Sequence, residues 1–261
     1  MSNYLLPIFT LAKRELIRFF RQRNRVIGAL LQPLIFWVLF GAAFTKTFVP
    51  PAGFGEMNYQ EYFFPGTVVM ILLFTAIFST ISIIEDRREG FLQSVLVAPV
   101  PRISMVLGKI IGGTLLAVIQ GVLFLLIGLF IIPMTAAIFA QAVAMMFLIA
   151  FALTGLGFLI AWRMDSTQGF HAIMSVFLLP MWLLSGALFP AQGVPSWLGW
   201  MITLNPLTYG MSAFREILYQ KQSLPGLPDF GLSLALTILF ALATVGGSAV
   251  IAGTRTTGDL H

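Results

Sequence analysis

The chain has 261 residues, of which 58% are hydrophobic and 10% charged, with a net charge of +5 and no cysteine. A soluble domain carries roughly 25% charged residues, so a water-soluble globular protein is excluded and an all-α integral membrane protein is expected. Disulfides and thiolate-held metals are excluded as well, and the positive balance gains meaning only from where each basic residue falls along the spans.

Residues 1–25 interleave Leu5, Leu6, Ile8, Phe9, Leu11, Leu16, Ile17, Phe19 and Phe20 with Lys13, Arg14, Arg18, Arg21, Arg23 and Arg25. The pattern predicts an amphipathic helix with a basic face, lying in the membrane interface and drawn to anionic head groups. A nucleic-acid arm is the weaker reading, because the apolar face needs a home. No cleavable leader is expected, since these residues are basic and interrupted rather than a charged start followed by an apolar core. The domain reading is therefore an interfacial helix over 1–25 and a six-span membrane domain over 26–261.

A first span is expected over 26–44, close to the ~20 residues that cross the hydrocarbon layer, with Pro33 kinking it. Residues 45–61 carry Pro50, Pro51, Gly53 and Gly55 and read as an irregular loop. The second span is expected over 62–84, with Phe63, Phe64, Phe74 and Phe78 inside it and Pro65-Gly66 loosening its outer end.

Five consecutive charges follow, Glu85, Asp86, Arg87, Arg88 and Glu89. Phe91, Leu92, Val95 and Leu96 then fall on one helical arc with Gln93 facing away. Pro99 and Pro101 stop any helix, and Lys109 sits at the mouth of the next apolar run. Two readings fit: a short surface helix that passes force to the spans on either side, or a solvated loop that only joins them.

The third span is expected over 106–132, with a G-x-x-x-G spacing at Gly108 and Gly112 that lets helices approach closely. Pro133-Met134-Thr135 is a tight turn. The fourth span is expected over 136–161 and the fifth over 170–189, with Pro180 near its middle. Residues 190–229 are too polar for a span and too apolar for a free loop. Trp197, Trp200, Asn205, Pro206, Tyr209, Arg215, Glu216 and Tyr219 predict two short helices at the outer membrane boundary, broken at Asn205-Pro206. The sixth span is expected over 230–252.

Twelve Lys and Arg residues fall on one side of this topology and three on the other. The positive-inside rule puts both termini and the 85–109 stretch in the cytoplasm. No charged residue is expected deep inside a span, which argues against an ion-driven transporter. No metal-ligand cluster is expected, and His171 reads as an interfacial hydrogen-bonding group. No phosphate-cradling Gly-rich loop is present, so this chain does not hydrolyse ATP by that route. Phe177, Met181 and Trp182 can line a path for an apolar ligand; core or lipid-facing packing accounts for the same residues and is the simpler reading.

Taken in order, the segment from Glu85 through Pro101 to Lys109 and the later Leu204-Asn205-Pro206-Leu207-Thr208-Tyr209 resemble the permease subunits of ATP-binding-cassette exporters of the second type, which export drugs, polysaccharides or lipids. The resemblance covers nearly the whole chain. It implies a type V exporter-like fold with a cytoplasmic coupling helix at about Arg87–Ala98 and short re-entrant helices before the last span. For coupling to the ATPase it implies Glu85, Arg87, Arg88, Glu89, Phe91, Leu92, Leu96, Pro99 and Pro101. It further implies two copies of a separate nucleotide-binding subunit holding ATP and Mg, a second permease copy as homodimer or close heterodimer, and a bacterial inner-membrane location. The path is then expected between protomers along the second and fifth spans, at Phe74, Phe78, Phe177 and Met181, and suits amphiphilic cargo. A lipid-modifying membrane enzyme would need convergent polar groups in the spans. A structural or assembly membrane protein would need no ATPase partner.

Overall fold

The computed structural model describes residues 2–21, 23–50, 57–97, 100–189, 193–220 and 228–254. Among them the secondary structure is entirely helical: α1 (Ser2–Arg21), α2 (Arg23–Phe44), α3 (Tyr59–Ser79), α4 (Ile81–Arg88), α5 (Phe91–Val97), α6 (Arg102–Gly128), α7 (Ala136–Ala161), α8 (Thr167–Trp182) with a π-helical turn at Leu183–Ala187, α9 (Ser196–Leu204), α10 (Pro206–Tyr219) and α11 (Phe230–Thr254). Six stretches are long and apolar enough to cross a membrane: Ile27–Phe44, Tyr59–Arg88, Arg102–Gly128, Ala136–Ala161, Thr167–Ala187 and Phe230–Gly253. The protein is an all-α membrane protein.

Helix α3 is the axis of the bundle. Its residues from Tyr62 to Leu73 are almost all buried, against α2, α6 and α7. Helices α2 and α11 lie at the periphery and expose Ile27, Leu31, Leu39, Leu239 and Leu242, the side chains a lipid-facing surface requires. Inside the bundle, small polar residues tie neighbouring helices. The Thr75 hydroxyl donates to Gln120 Oε1 (2.7 Å) between α3 and α6, and Thr244 and Ser248 of α11 donate to the α7 carbonyls of Ala152 (3.0 Å) and Gly155 (3.1 Å). Such bonds carry weight where burial of apolar surface gives no drive.

Several expected boundaries move, each for a local reason. The second span starts at Tyr59 rather than 62, because Asn58 and Glu61 form a reciprocal capping box. Helix α3 also runs through Pro65, and α2 stays helical through Pro33. The third span starts at Arg102, whose guanidinium donates to the Gly253 carbonyl (2.9 Å), and ends at Gly128, with turns over 129–132. The fifth ends at Ala187 in the π-helical turn, where Gly186 has φ +79°, a value glycine adopts without strain. The fourth span matches its expected bounds, and the break at Asn205-Pro206 falls between α9 and α10 as expected.

The G-x-x-x-G spacing serves α1 rather than another span. A Cβ on Gly108 would lie 2.8 Å from Leu11 Cβ, and one on Gly112 would lie 2.9 Å from Glu15 Cβ and 3.2 Å from the Ala12 backbone. Gly112→Leu is therefore expected to push α1 off α6 and to destabilise the protein by about 1–3 kcal/mol. In an Ala12→Cys background the introduced thiol is expected to be buried and slow to react with maleimide, since Ala12 is buried; Gly112→Leu should make it fast. An unchanged reaction rate would mean α1 is seated by other contacts.

Candidate functional site

Two groups of charged residues stand out, at opposite ends of the bundle. The first is a collar where α1, α4 and α6 meet. Asp86 is fully buried, and Lys109 and Glu15 are each 5% exposed at their side chains. Lys109 Nζ donates to Glu15 (2.6 Å), to the Ser82 hydroxyl (3.2 Å) and to Asp86. Arg14 donates to both Asp86 carboxylate oxygens (2.7 and 2.9 Å), and Arg18 bridges Asp86 (2.8 Å) and Glu85 (2.7 Å). The bond to Asp86 raises the Arg14 pKa above its ordinary value against the opposing effect of burial. Buried charges persist only when paired and hydrogen-bonded, and this collar satisfies that condition with residues from three helices.

Asp86 and Lys109 lie near the ends of spans, where each is compensated by the other and by α1. One expectation is corrected here: the basic face of α1 is divided. Arg14 and Arg18 turn inward to the acidic residues, and Lys13 and Arg21 remain exposed. The outward row of Tyr4, Leu5, Leu6 and Phe9 is apolar.

The expected coupling segment is two pieces rather than one helix over Arg87–Ala98. Glu85, Arg87 and Arg88 belong to α4, and a turn at Glu89-Gly90, with Gly90 at φ +75°, leads into α5. Arg87 and Arg88 reach the α7–α8 connection. Arg87 donates to the carbonyls of Trp162 (2.6 Å) and Met164 (3.0 Å) and pairs with Asp165 (2.9 Å), and Arg88 Nε donates to the Asp165 carbonyl (3.0 Å). On α5, the Phe91 ring lies under the Arg14 guanidinium (3.7 Å) and Leu92 is buried, whereas Gln93, Ser94 and Val97 are exposed. The Leu96 side chain and Pro99 lie outside the described residues; Pro101 precedes α6.

The second group is the broken corner where α3, the π-helical turn and α10 meet. Asn205 accepts from the Leu207 amide (3.1 Å) and donates to the Met181 carbonyl (2.7 Å), so it caps α10 and ties it to α8, with Pro206 in the first helical position. Tyr209 donates to the Thr203 carbonyl (2.6 Å). Arg215 is 2% exposed. Its Nη2 donates to the Gly186 carbonyl (2.9 Å), its guanidinium lies over the Tyr62 ring (4.4 Å), and its Nε and Nη1 have no partner. The Tyr62 hydroxyl donates to the same Gly186 carbonyl (3.0 Å). Tyr219 donates to the Glu61 carbonyl, and burial pushes its phenol well above the ordinary value.

The five expected path residues do not share one wall. Phe74 and Phe78 line a cavity of about 360 Å³ with Gln32, Pro33 and His171. Phe177 and Met181 line a different, almost wholly apolar cavity of about 780 Å³ beside α9. Trp182 is not a wall residue. It is 2% exposed, its indole donates to the Gly66 carbonyl (2.8 Å) and its ring meets Phe63 edge-on, so it braces α8 against α3.

Glu15, Arg14, Arg18, Tyr62 and Gly186 escaped the sequence reading. One signal pointed to the first of them. Glu15 is the single acid in a basic amphipathic helix, and Lys109 is the single charge between the first turn and the end of its span; both demand a partner.

A six-span helical bundle with a charged collar at one end and a broken helix pair at the other defines a multi-pass membrane protein of transporter architecture. Residues 7–219 match the family described as ABC-2 type transporter, and the chain belongs to that family. It is 32% identical over 224 residues to the putative transport permease ycf38 of Cyanophora paradoxa, covering 84% of this chain and 76% of that one. It is 26% identical over 199 residues to the probable multidrug ABC transporter permease YbhR of Escherichia coli K12, covering 74% and 52%, and 22% identical over 246 residues to the inner membrane transport permease YadH of the same organism, covering 93% and 94%. The chain is thus the transmembrane subunit of an ABC transporter, a transport component rather than a catalyst, in a family that works with an ATP-binding subunit.

Proposed function

We propose that this chain is the permease of an exporter that moves an amphiphilic substrate, such as a drug, lipid or glycan-lipid, out of the cytoplasm or inner leaflet. ATP and Mg act on two copies of a separate subunit. A second permease copy completes the path, and the complex sits in a bacterial inner membrane with both chain termini cytoplasmic. Helix α1 rests its apolar row in the interface, and α9 and α10 lie at the outer leaflet.

One observation carries the reading. Helix α5 presents Gln93, Ser94 and Val97 outward while its inner face rests on Arg14, and through Arg14 on Asp86 and Lys109 at the ends of two spans. A push on α5 therefore reaches α1, α4 and α6 through ion pairs rather than through a slack loop. Glu89 is 61% exposed beside it. In the complex reconstituted with its ATPase, Glu89→Arg should lower ATP-driven transport on the order of tenfold, about 1.4 kcal/mol, with membrane insertion intact. Unchanged transport and unchanged ATPase copurification would refute the coupling role.

Orientation is checked by thiol labelling, since the native chain has no cysteine. Ser196 of α9 and Ser94 of α5 are both exposed and at opposite ends. An impermeant maleimide applied from outside should label Ser196→Cys and spare Ser94→Cys; the reverse pattern would invert the topology. For the path, disulfide crosslinking between protomers with cysteines at Phe74 and Phe177 places the two cavities relative to the dimer axis.

A further inference from the structure

A third cavity, of about 650 Å³, opens between α7, α10 and α11 at the end of the bundle that holds Arg215. It shares no residue with the two cavities that hold the expected path residues. Its volume lies within the roughly 300–1,000 Å³ of small-molecule sites. The wall is apolar, formed by Met145 and Leu148 of α7, Ile217 of α10 and Phe230 and Leu234 of α11. Gln141 and Gln220 stand at its exposed rim.

One charged group faces this wall. Glu216 lines the cavity, and its Oε1 is buried without a hydrogen-bond partner. No Lys, Arg or His of the described residues forms an ion pair with it. Arg215, its neighbour in sequence, points to Tyr62 and Gly186 instead. Burial raises the Glu216 pKa, the nearby Asp229 carboxylate adds to the effect, and Ser212 partly opposes it. A buried carboxylate oxygen without a donor costs free energy that a cationic donor would recover.

We infer that this cavity is a binding site for an amphiphile with an ammonium group, its alkyl chain along Met145, Leu148 and Leu234 and its cation on Glu216. The chemistry follows from the two halves of the lining: an apolar wall around about 650 Å³, and a carboxylate with an unused acceptor. An anionic amphiphile would be repelled by the carboxylate, and a neutral hydroxyl would donate only an uncharged hydrogen bond, weaker than the charge-assisted bond of an ammonium. The inference rests on neither the coupling role of α5 nor the path between protomers.

The test uses the full chain in phosphatidylglycerol nanodiscs, which bring no ammonium group. A long-chain alkylamine with a diazirine in its chain is photolysed in the discs, and adducts are mapped by mass spectrometry, with the matching alcohol as control. The amine should label peptides holding Met145–Leu148 and Phe230–Leu234 on the order of tenfold more than the alcohol, about 1.4 kcal/mol of preference. Glu216→Gln should abolish that preference and Glu216→Asp should retain it. Leu148→Trp, which fills the slot but keeps the carboxylate, should lower labelling by both probes. Suppression of amine labelling by added phosphatidylethanolamine would identify a membrane lipid as the occupant; suppression only by unlabelled alkylamine would identify a free cationic amphiphile. Equal labelling by amine and alcohol in the native chain, or undiminished labelling in Leu148→Trp, would overturn the proposal.

Discussion

Lys109→Met is expected to destabilise the protein by about 3–5 kcal/mol, the usual cost of breaking a buried charge group by removing one member. Lys109 is the cation that Glu15 and Asp86 share, and both carboxylates are almost wholly shielded from water. Without it, Asp86 keeps Arg14 and Arg18, but Glu15 keeps only a longer contact with Arg14 at 3.3 Å. Glu15 should therefore be the group that fails, and α1 the helix that loosens. The double replacement Lys109→Met with Glu15→Leu removes both buried charges and should recover most of the loss, since an apolar pair of similar volume is often neutral. Heating curves in detergent, compared as apparent midpoints because large membrane proteins seldom unfold reversibly, give the ordering. A double variant no better than the single would show that the ion pairs hold the collar by geometry rather than by charge balance.

Arg215→Met should behave in the opposite way. Arg215 is buried with no carboxylate partner among the described residues and with two donors unused, so its desolvation is poorly compensated. Its one good hydrogen bond goes to the Gly186 carbonyl, which the Tyr62 hydroxyl also satisfies. Methionine fills similar space without the charge, so stability should be unchanged or rise by about 1 kcal/mol. Transport should nevertheless fall on the order of tenfold, about 1.4 kcal/mol on the limiting step. Arg215 is one of two side chains of α10 that hold the π-helical turn, the other being Thr208, whose hydroxyl donates to the Leu184 carbonyl (3.2 Å), and such wide turns recur at functional sites. Parallel measurement of melting and of ATP-driven transport separates the two effects. A loss of about 3 kcal/mol in stability would make Arg215 a structural brace instead.

The spans themselves were legible along the chain, because crossing a hydrocarbon layer requires a continuous apolar run and intramolecular backbone hydrogen bonds. The α9–α10 break was legible for the same kind of local reason. Pro206 has no amide hydrogen to donate, and Asn205 supplies the cap. Span ends were less so. The Asn58–Glu61 box extends α3 by one turn, and Arg102, which reads as part of the connection, lies in the first turn of α6.

Only the tertiary structure decided which charges go inside. Glu15 and Lys109 are 94 residues apart and Arg14 and Asp86 are 72 apart, and nothing local pairs them. A charge at a span end is solvated or buried according to what another helix brings to it, and α1 is brought there by Gly108 and Gly112. The same holds for Trp182, which the sequence offers equally to a cavity wall or to a brace, and which the close approach of Gly66 turns into a brace. Sequence position sets which side chains are available. The free energy of removing them from water, paid or recovered by residues far along the chain, sets what they do.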